Sequence, residues 1–436
     1  MREASKSLPA PPVQINLNIR GMKPSPTVAI NERCNAMLAE GREVFKLGLG
    51  QSPFPVPDPV VAELKLNAHQ KDYLAVKGLR ALREAVADYH RLHQGVQCTA
   101  DDVLIAPGSK ELMFLLMLVY YGDVVIPTPA WVSYAPQARI IGRNVDFLHA
   151  HAENRWQLTP EQLRAHCAED PERPRIVVLN YPSNPTGCTY SPGQLEALAL
   201  AAREHRMVIL SDEIYGELHH EGQHISIARH YPEGTILSGG LSKWCGAGGW
   251  RLGTFTFPRK LRWLQDAMAA VASETYTSTS APIQHAAVRA FQGGPEIERY
   301  LWRARRLLRA LGHWVCERLN DAGIATLRPD GAFYLFPDFE SRRAAMARRG
   351  IRNSAQLCEA LLLETGAAIL PGSAFGRPPS ELTARLAYVD FDGSRVMAAM
   401  EHMEEDQAPG LEFFEQHCQN VVRATQRICE WVAALG

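Results

Sequence analysis

No CxxC pair occurs anywhere in this sequence, although it holds nine cysteines. An odd number of scattered thiols argues against a disulfide framework and against a zinc ribbon, so no metal site is expected. Reduced cysteines in a cytoplasmic protein are the expectation. No run of about 18 apolar residues is present, so no membrane span is expected. The longest apolar stretch, "ELMFLLMLVYYG" at 111–122, is shorter and fits a buried helix. Charge of one sign is not in excess. Lys and Arg number 46 against 47 Asp and Glu, and the net charge of -1 gives no reason to expect nucleic acid or an anionic membrane as partner. Internal repeats and low-complexity tracts are missing. The opening "MREASKSLPAPPVQ" holds no apolar core of the kind a secretory signal needs. Two nucleotide fingerprints are also lacking: GxxxxGK[ST], and GxGxxG after a strand.

What remains is ordinary globular material, 46% hydrophobic and 21% charged over 436 residues. That length suits one large core with a second lobe. Residues 1–20 read as a polar, proline-bearing arm, and helix-like text runs from Val28 to about Gly41. Short β-branched runs then alternate with helical text. "DVLIAP" (102–107), "GDVVIPTP" (122–129), "RIVVLNYP" (175–182), "MVILSDE" (207–213) and "GTILSGG" (234–240) read as strands. Helices are expected from Lys110 and over 191–205, the latter with Ser191 as N-cap and Pro192 in its first turn. Strands that are apolar throughout and separated by helices predict an α/β fold. Its mostly parallel sheet would be sandwiched between helices. Beyond Pro295 the text turns helical and charged, then passes through "GAFYLFPDF" (331–339), read as a short strand. The chain therefore divides into an arm and small-domain segment (1–45), a large domain (46–295), and a small C-terminal α/β domain with a helical tail (296–436).

In open α/β sheets ligands gather outside the carboxyl ends of the strands. Five strand ends here present chemistry: Gly108-Ser109-Lys110, Trp131, Asn184, Asp212 with Tyr215, and Lys243. Each has an ordinary explanation alone. Gly108-Ser109 can be a turn and cap, Trp131 core, "NPTG" a turn, Asp212 an N-cap and Lys243 a surface charge. Their joint order points elsewhere.

Catalysis with pyridoxal 5'-phosphate needs this set. An amine, Lys243, holds the cofactor's aldehyde as an imine and serves as acid and base. A carboxylate, Asp212, keeps the cofactor's ring nitrogen protonated. At about 4 Å and an effective dielectric near 20 that attraction is roughly 4 kcal/mol, or about three pKa units. Tyr215 and Asn184 would hydrogen-bond the phenolic oxygen, and Trp131 would stack on the ring. The phosphate would take the helix start at Ser109 and Lys110 and a fork from Arg251, with Ser242 beside it.

These residues sit in motifs that resemble a fold-type-I aminotransferase of the aspartate aminotransferase family, in the branch with bacterial aspartate and prephenate aminotransferases. The motifs run from about 20 to 395: "MKPSPTVAI" (22–30), "LGLGQSPF" (47–54), "YLAVKGLRALREAV" (73–86), "PGSKEL" (107–112), "PTPAWVSY" (127–134), "NYPSNPTG" (180–187), "SDEIYGEL" (211–218), "LSKWCGAGGWRLG" (241–253) and "ARLAYVDF" (384–391). The resemblance implies that Arg385 binds the substrate α-carboxylate, with the Gly50 amide beside it. It implies that Tyr73 reaches the phosphate of a neighbouring subunit, hence a homodimer with shared active sites. It also implies that Lys23 and Lys110 read a second carboxylate, as in aspartate or glutamate. Two features depart from the family. Gly240 stands where a phosphate-binding serine is common, with Ser238 or Ser242 as the expected substitute, and the tail beyond about 400 is longer than the usual ending.

The expectation is therefore an aminotransferase passing an amino group between an L-amino acid and a 2-oxo acid. A lyase, decarboxylase or cyclase on the same cofactor is the alternative, because the cofactor carries the hard chemistry. A regulator without turnover would need an appended nucleic-acid-binding module, for which the first 20 residues are too short.

Overall fold

The computed structural model describes residues 14–404 and 407–435. The first thirteen residues of the expected arm lie outside them. Seven strands build the larger sheet: β1 Val103–Ala106, β2 Asp123–Thr128, β3 Val145–His149, β4 Arg175–Asn180, β5 Val208–Asp212, β6 Thr235–Gly240 and β7 Gly253–Thr256. Their order across the sheet is β1-β7-β6-β5-β4-β2-β3. The pairs from β3 through β6 are parallel, whereas β7 runs antiparallel to both β6 and β1. Two reversals restore direction, so β1 points the same way as β6. The carboxyl ends of β1, β2, β4, β5 and β6 consequently open on one rim.

Alternation inside each apolar strand explains the two helical layers. Ile176 and Val178 of β4 face a cluster with Leu112 and Leu116 from the helix Ser109–Val119 and Leu264 and Met268 from Arg262–Glu274. Val177 and Leu179 of the same strand face Leu163, Leu195 and Leu198 from Pro160–Ala168 and Pro192–Glu204 on the other side. A strand buried on both faces loses the usual polar alternation. The helix Pro192–Glu204 starts as expected: Ser191 caps the Gln194 amide, the Gln194 side chain returns to Ser191, and Pro192 follows. The first helix spans Pro26–Ala39, two residues earlier than its text suggests, because Pro26 sits well in a first turn.

A second sheet, order β8-β10-β9, holds β8 Tyr334–Leu335, β9 Leu370–Pro371 and β10 Ala384–Ala387, all antiparallel. The expected strand over 331–339 is thus only two residues long. Ala332 takes φ 56° before it, and Pro337 after it has no amide hydrogen to donate. Asp338 keeps only isolated bridges to Ala325 and Thr383. The long helix Pro295–Asp321 buries Ile297, Leu301, Ala304, Leu308, Leu311 and Val315 along one stripe. Against it and the helix Ser354–Thr365 packs the last long helix, Gln419–Ala433, preceded by Leu411–His417. Among the described residues no helix is long and apolar enough to cross a membrane.

Leu308 is fully buried within the largest core cluster. Leu308→Ala is expected to cost about 2–5 kcal/mol, read as an earlier midpoint in denaturant unfolding.

Candidate active site

The rim brings most of the predicted residues together. Asp212 ends β5 and is 4% exposed. Its Oδ2 accepts a 2.5 Å hydrogen bond from the Tyr134 hydroxyl, and its Oδ1 a 3.3 Å bond from Ser238 Oγ. Burial pushes its carboxyl up to about 6, against the pull of Tyr134, of the Ile214 amide and of Ser238. Ser238 Oγ is thus engaged by the carboxylate, and Ser242 is the other expected substitute for a phosphate hydroxyl. A serine could not stand at 240. Gly240 has φ 152°, and a Cβ there would lie 2.6 Å from the Leu252 carbonyl oxygen.

Lys243 follows β6 in the turn that leads to β7, and Ser242 precedes it. The half-buried Lys243 ammonium donates a 2.6 Å bond to the Gly50 carbonyl and lies 5.5 Å from the Tyr215 ring. Burial, with the Arg385 guanidinium next in effect, brings it down to about 8 although Asp212 opposes. Arg251 and Lys110 also press it down, so four cations converge on one region. Lys110 sits 5.0 Å above the Trp131 ring and is itself lowered by burial and by Arg251. Trp131 meets Tyr134 edge-on at 5.1 Å.

Arg385, on β10, is 1% exposed. Nη1 donates to Asn184 Oδ1 at 3.1 Å and Nη2 to the Gly48 carbonyl at 2.6 Å. Its guanidinium rests 4.9 Å from the Tyr334 ring and 5.0 Å from the Phe375 ring. Nε has no partner, and no carboxylate among the described residues pairs with it. A buried cation without its anion is costly, and an incoming carboxylate would remove that cost. Asn184 is itself fixed, its amide donating to Asn180 Oδ1 at 2.7 Å. Tyr215, fully buried, shares a 2.7 Å hydroxyl contact with Tyr334.

The helix start expected at Ser109 is present, close to Arg251. Ser109 opens its helix next to Gly253 of β7, where any Cβ would collide with the Ser109 amide nitrogen. A Cβ on Gly108 would collide with the Arg251 guanidinium. Arg251 adopts φ 55°, unusual for a residue with a side chain, and donates 2.8 Å to the Gly248 carbonyl. These glycines let a helix start and a guanidinium meet at one point.

Two predicted residues are not drawn in. Tyr73 is 89% exposed on the surface of the chain, and Lys23 is exposed ahead of the first helix. Sequence reasoning missed Tyr134, Tyr334 and the Gly48 carbonyl. Tyr134 lies three residues after Trp131, and a buried acid needing a donor was the signal that could have found it.

One rim of an α/β sheet thus brings an amine of lowered pKa close to a buried guanidinium that pairs with no carboxylate among the described residues. Residues 42–390 match aminotransferase class I and II, and this chain belongs to that family. An aspartate aminotransferase of Geobacillus stearothermophilus is 34% identical over 380 residues, covering 85% of this chain and 93% of the relative. The aspartate/prephenate aminotransferase of Thermus thermophilus is 32% identical over 366 residues, covering 83% and 91%. Among solved structures, the Thermus thermophilus aspartate aminotransferase with maleate superposes with TM-score 0.81 at 29% identity, covering 96% of this chain and 99% of that one. The aspartate aminotransferase of Rhizobium meliloti gives 0.82 at 27%, covering 97% and 99%. The chain is accordingly an aminotransferase of fold type I, a family that works with pyridoxal phosphate in general. The lyase, decarboxylase or cyclase alternative finds no support among these relatives.

In the cofactor-free protein, labelling of Lys243 by an amine-selective acylating reagent is expected to rise through a midpoint near pH 8. Arg385→Leu removes a like charge and should move that midpoint up. Asp212→Asn should move it down. Peptide mass spectrometry across a pH series reads both.

Proposed function

We propose that this aminotransferase binds pyridoxal 5'-phosphate at the rim described above and takes a dicarboxylic amino donor such as aspartate or glutamate. The carrying observation is the buried Arg385, held by Asn184 and Gly48 with no acid opposite it.

The donor set fits the cofactor. Among the described residues the buried Asp212 has no salt-bridge partner, and a protonated ring nitrogen there would restore its charge. Ser109, Ser242, Lys110 and Arg251 would hold the phosphate, and Trp131 the ring face. Tyr215 and Asn184 would bond the ring's oxygen. When bound, the cofactor supplies an aldehyde for the amino group and a ring that draws off electrons. Lys243 takes the proton from the substrate Cα, and its lowered pKa leaves a useful neutral fraction near neutral pH. Arg385 orients the α-carboxylate through a fork, beside the backbone of Gly50. Asn184 and the Gly48 carbonyl keep that fork still, so the Cα–H bond presents to Lys243 in one orientation. Tyr134 and Ser238 hold Asp212 in place.

Lys110 and Lys23 are the proposed readers of the second carboxylate. Lys110 stands at the rim already, whereas Lys23 would have to approach from the segment before Pro26–Ala39. Tyr73 is assigned to the phosphate of a neighbouring subunit, and its wide exposure supports a homodimer with shared sites. The division into a large domain (46–295) and a small one (296–436) joined by the 1–45 segment belongs to the same reading, as does a cytoplasmic location.

Lys243→Ala should cut transfer at least about 100-fold, the scale of losing a positioned acid–base group. It should also abolish the borohydride-trapped mass increase on the peptide carrying position 243. Arg385→Lys keeps charge but loses the fork. A rise in KM of about tenfold or more is expected, from roughly 1.4 kcal/mol of lost bidentate bonding. A screen of amino donors tests the dicarboxylate assignment. Aspartate and glutamate should bleach the visible band of the loaded enzyme, and a response from neutral or aromatic donors alone removes the roles given to Lys23 and Lys110.

A further inference from the structure

The segment from Glu43 to Gly50 ends in the two carbonyls that face the site. Gly48 O receives Arg385 and Gly50 O receives Lys243, each at 2.6 Å. Along the way the segment buries Val44, Phe45 and Leu47 and is pinned by a few separate backbone and side-chain bonds. Ala387 N donates to Leu47 O at 2.8 Å, Lys46 N donates to Asp390 Oδ2 at 2.8 Å, and Phe45 pairs with Gly366 and Ala368. Its beginning is fastened by the helix Gln419–Ala433, which lies beyond the family match ending at 390.

Two arginines of that helix converge there. Arg423 meets Glu43 Oε1 at 2.7 Å and Arg427 meets Oε2 at 2.5 Å. Both guanidinium groups also sit over the buried Phe45 ring, at 5.6 and 5.1 Å. Arg427 further donates to the Thr365 carbonyl at 3.2 Å, at the end of the helix Ser354–Thr365 that precedes Gly366. Half-exposed ion pairs add little to global stability. Two of them on one carboxylate and one ring, immediately before a segment of isolated bonds, have a local effect: they restrict where that segment can lie.

We propose that Arg423 and Arg427 are positioning residues for the amino-transfer site, acting through Glu43 and Phe45 on the 44–50 segment that carries the Gly48 and Gly50 carbonyls. This rests on the reading of Arg385 as the carboxylate fork and Lys243 as the reactive amine. The helix is thereby a strut for the substrate seat as well as a cover for the small lobe.

Three variants test it: Glu43→Gln, the pair Arg423→Ala with Arg427→Ala, and the charge-keeping pair Arg423→Lys with Arg427→Lys. Amide hydrogen exchange is measured on the cofactor-free full chain, and steady-state kinetics with L-aspartate on the loaded enzyme. Glu43→Gln and the alanine pair should speed exchange at 44–50 at least tenfold while the helices Pro295–Asp321 and Ser354–Thr365 stay protected. KM for aspartate should rise three- to tenfold with kcat within twofold, and the lysine pair should recover most of both effects. Unchanged exchange at 44–50 overturns the proposal. So does an equal rise throughout the two helices, which marks a packing role alone, and so does faster exchange at 44–50 with an unmoved KM. A wild-type enzyme without aspartate turnover would sink the substrate reading instead and leave the exchange result to decide this one.

Discussion

Positive charge held partly or wholly out of water, with no carboxylate paired to it among the described residues, is the condition around which this molecule is arranged. Arg385 and Lys243 are capped by peptide carbonyls and aromatic faces. Such partners carry only partial charge, so they can orient a cation without neutralising it. A nearby acid, Asp212, is engaged by Tyr134 and Ser238 and sits deep at the end of β5. Had Asp212 reached Arg385, the chain would have satisfied itself and left nothing for an anion to do. Keeping these groups apart is the task of the surrounding structure.

Two sheets share that task. The larger sheet supplies Asp212, Asn184 and Lys243 from ends that face one way, because β4, β5 and β6 run parallel. The smaller sheet supplies Arg385 from β10 and Tyr334 from β8. Asn184 and the Tyr215–Tyr334 hydroxyl pair join the two. The site is therefore a seam, and its geometry depends on how securely short irregular segments lie between packed helices.

Much of the seam could be read from letters alone. Apolar strands separated by helices forced a sheet covered on both faces, and polar residues just past each strand could only collect on a rim. Lys243, Asp212 and Asn184 were visible for that reason. Tyr134 was not, because a tyrosine in an apolar helix start reads as core until its acid is known to lie beneath it. The Gly48 and Gly50 carbonyls were invisible in principle: a backbone oxygen has no letter of its own. Gly240 read as a missing hydroxyl, yet its φ and its closeness to Leu252 leave no room for one. The brevity of β8 was hidden because its text keeps strand-like residues on either side of the turn at Ala332 and the proline at 337.

The turn between β6 and β7 has one further consequence. Lys243 and Arg251 are eight positions apart in the chain, in the connection between two strands that are bonded to each other from Leu237–Thr256 to Gly240–Gly253. The amine and the guanidinium thus belong to one connection whose two ends are held together by strand pairing. A molecule that touched both side chains would therefore have to match a spacing that the pairing of β6 with β7 sets.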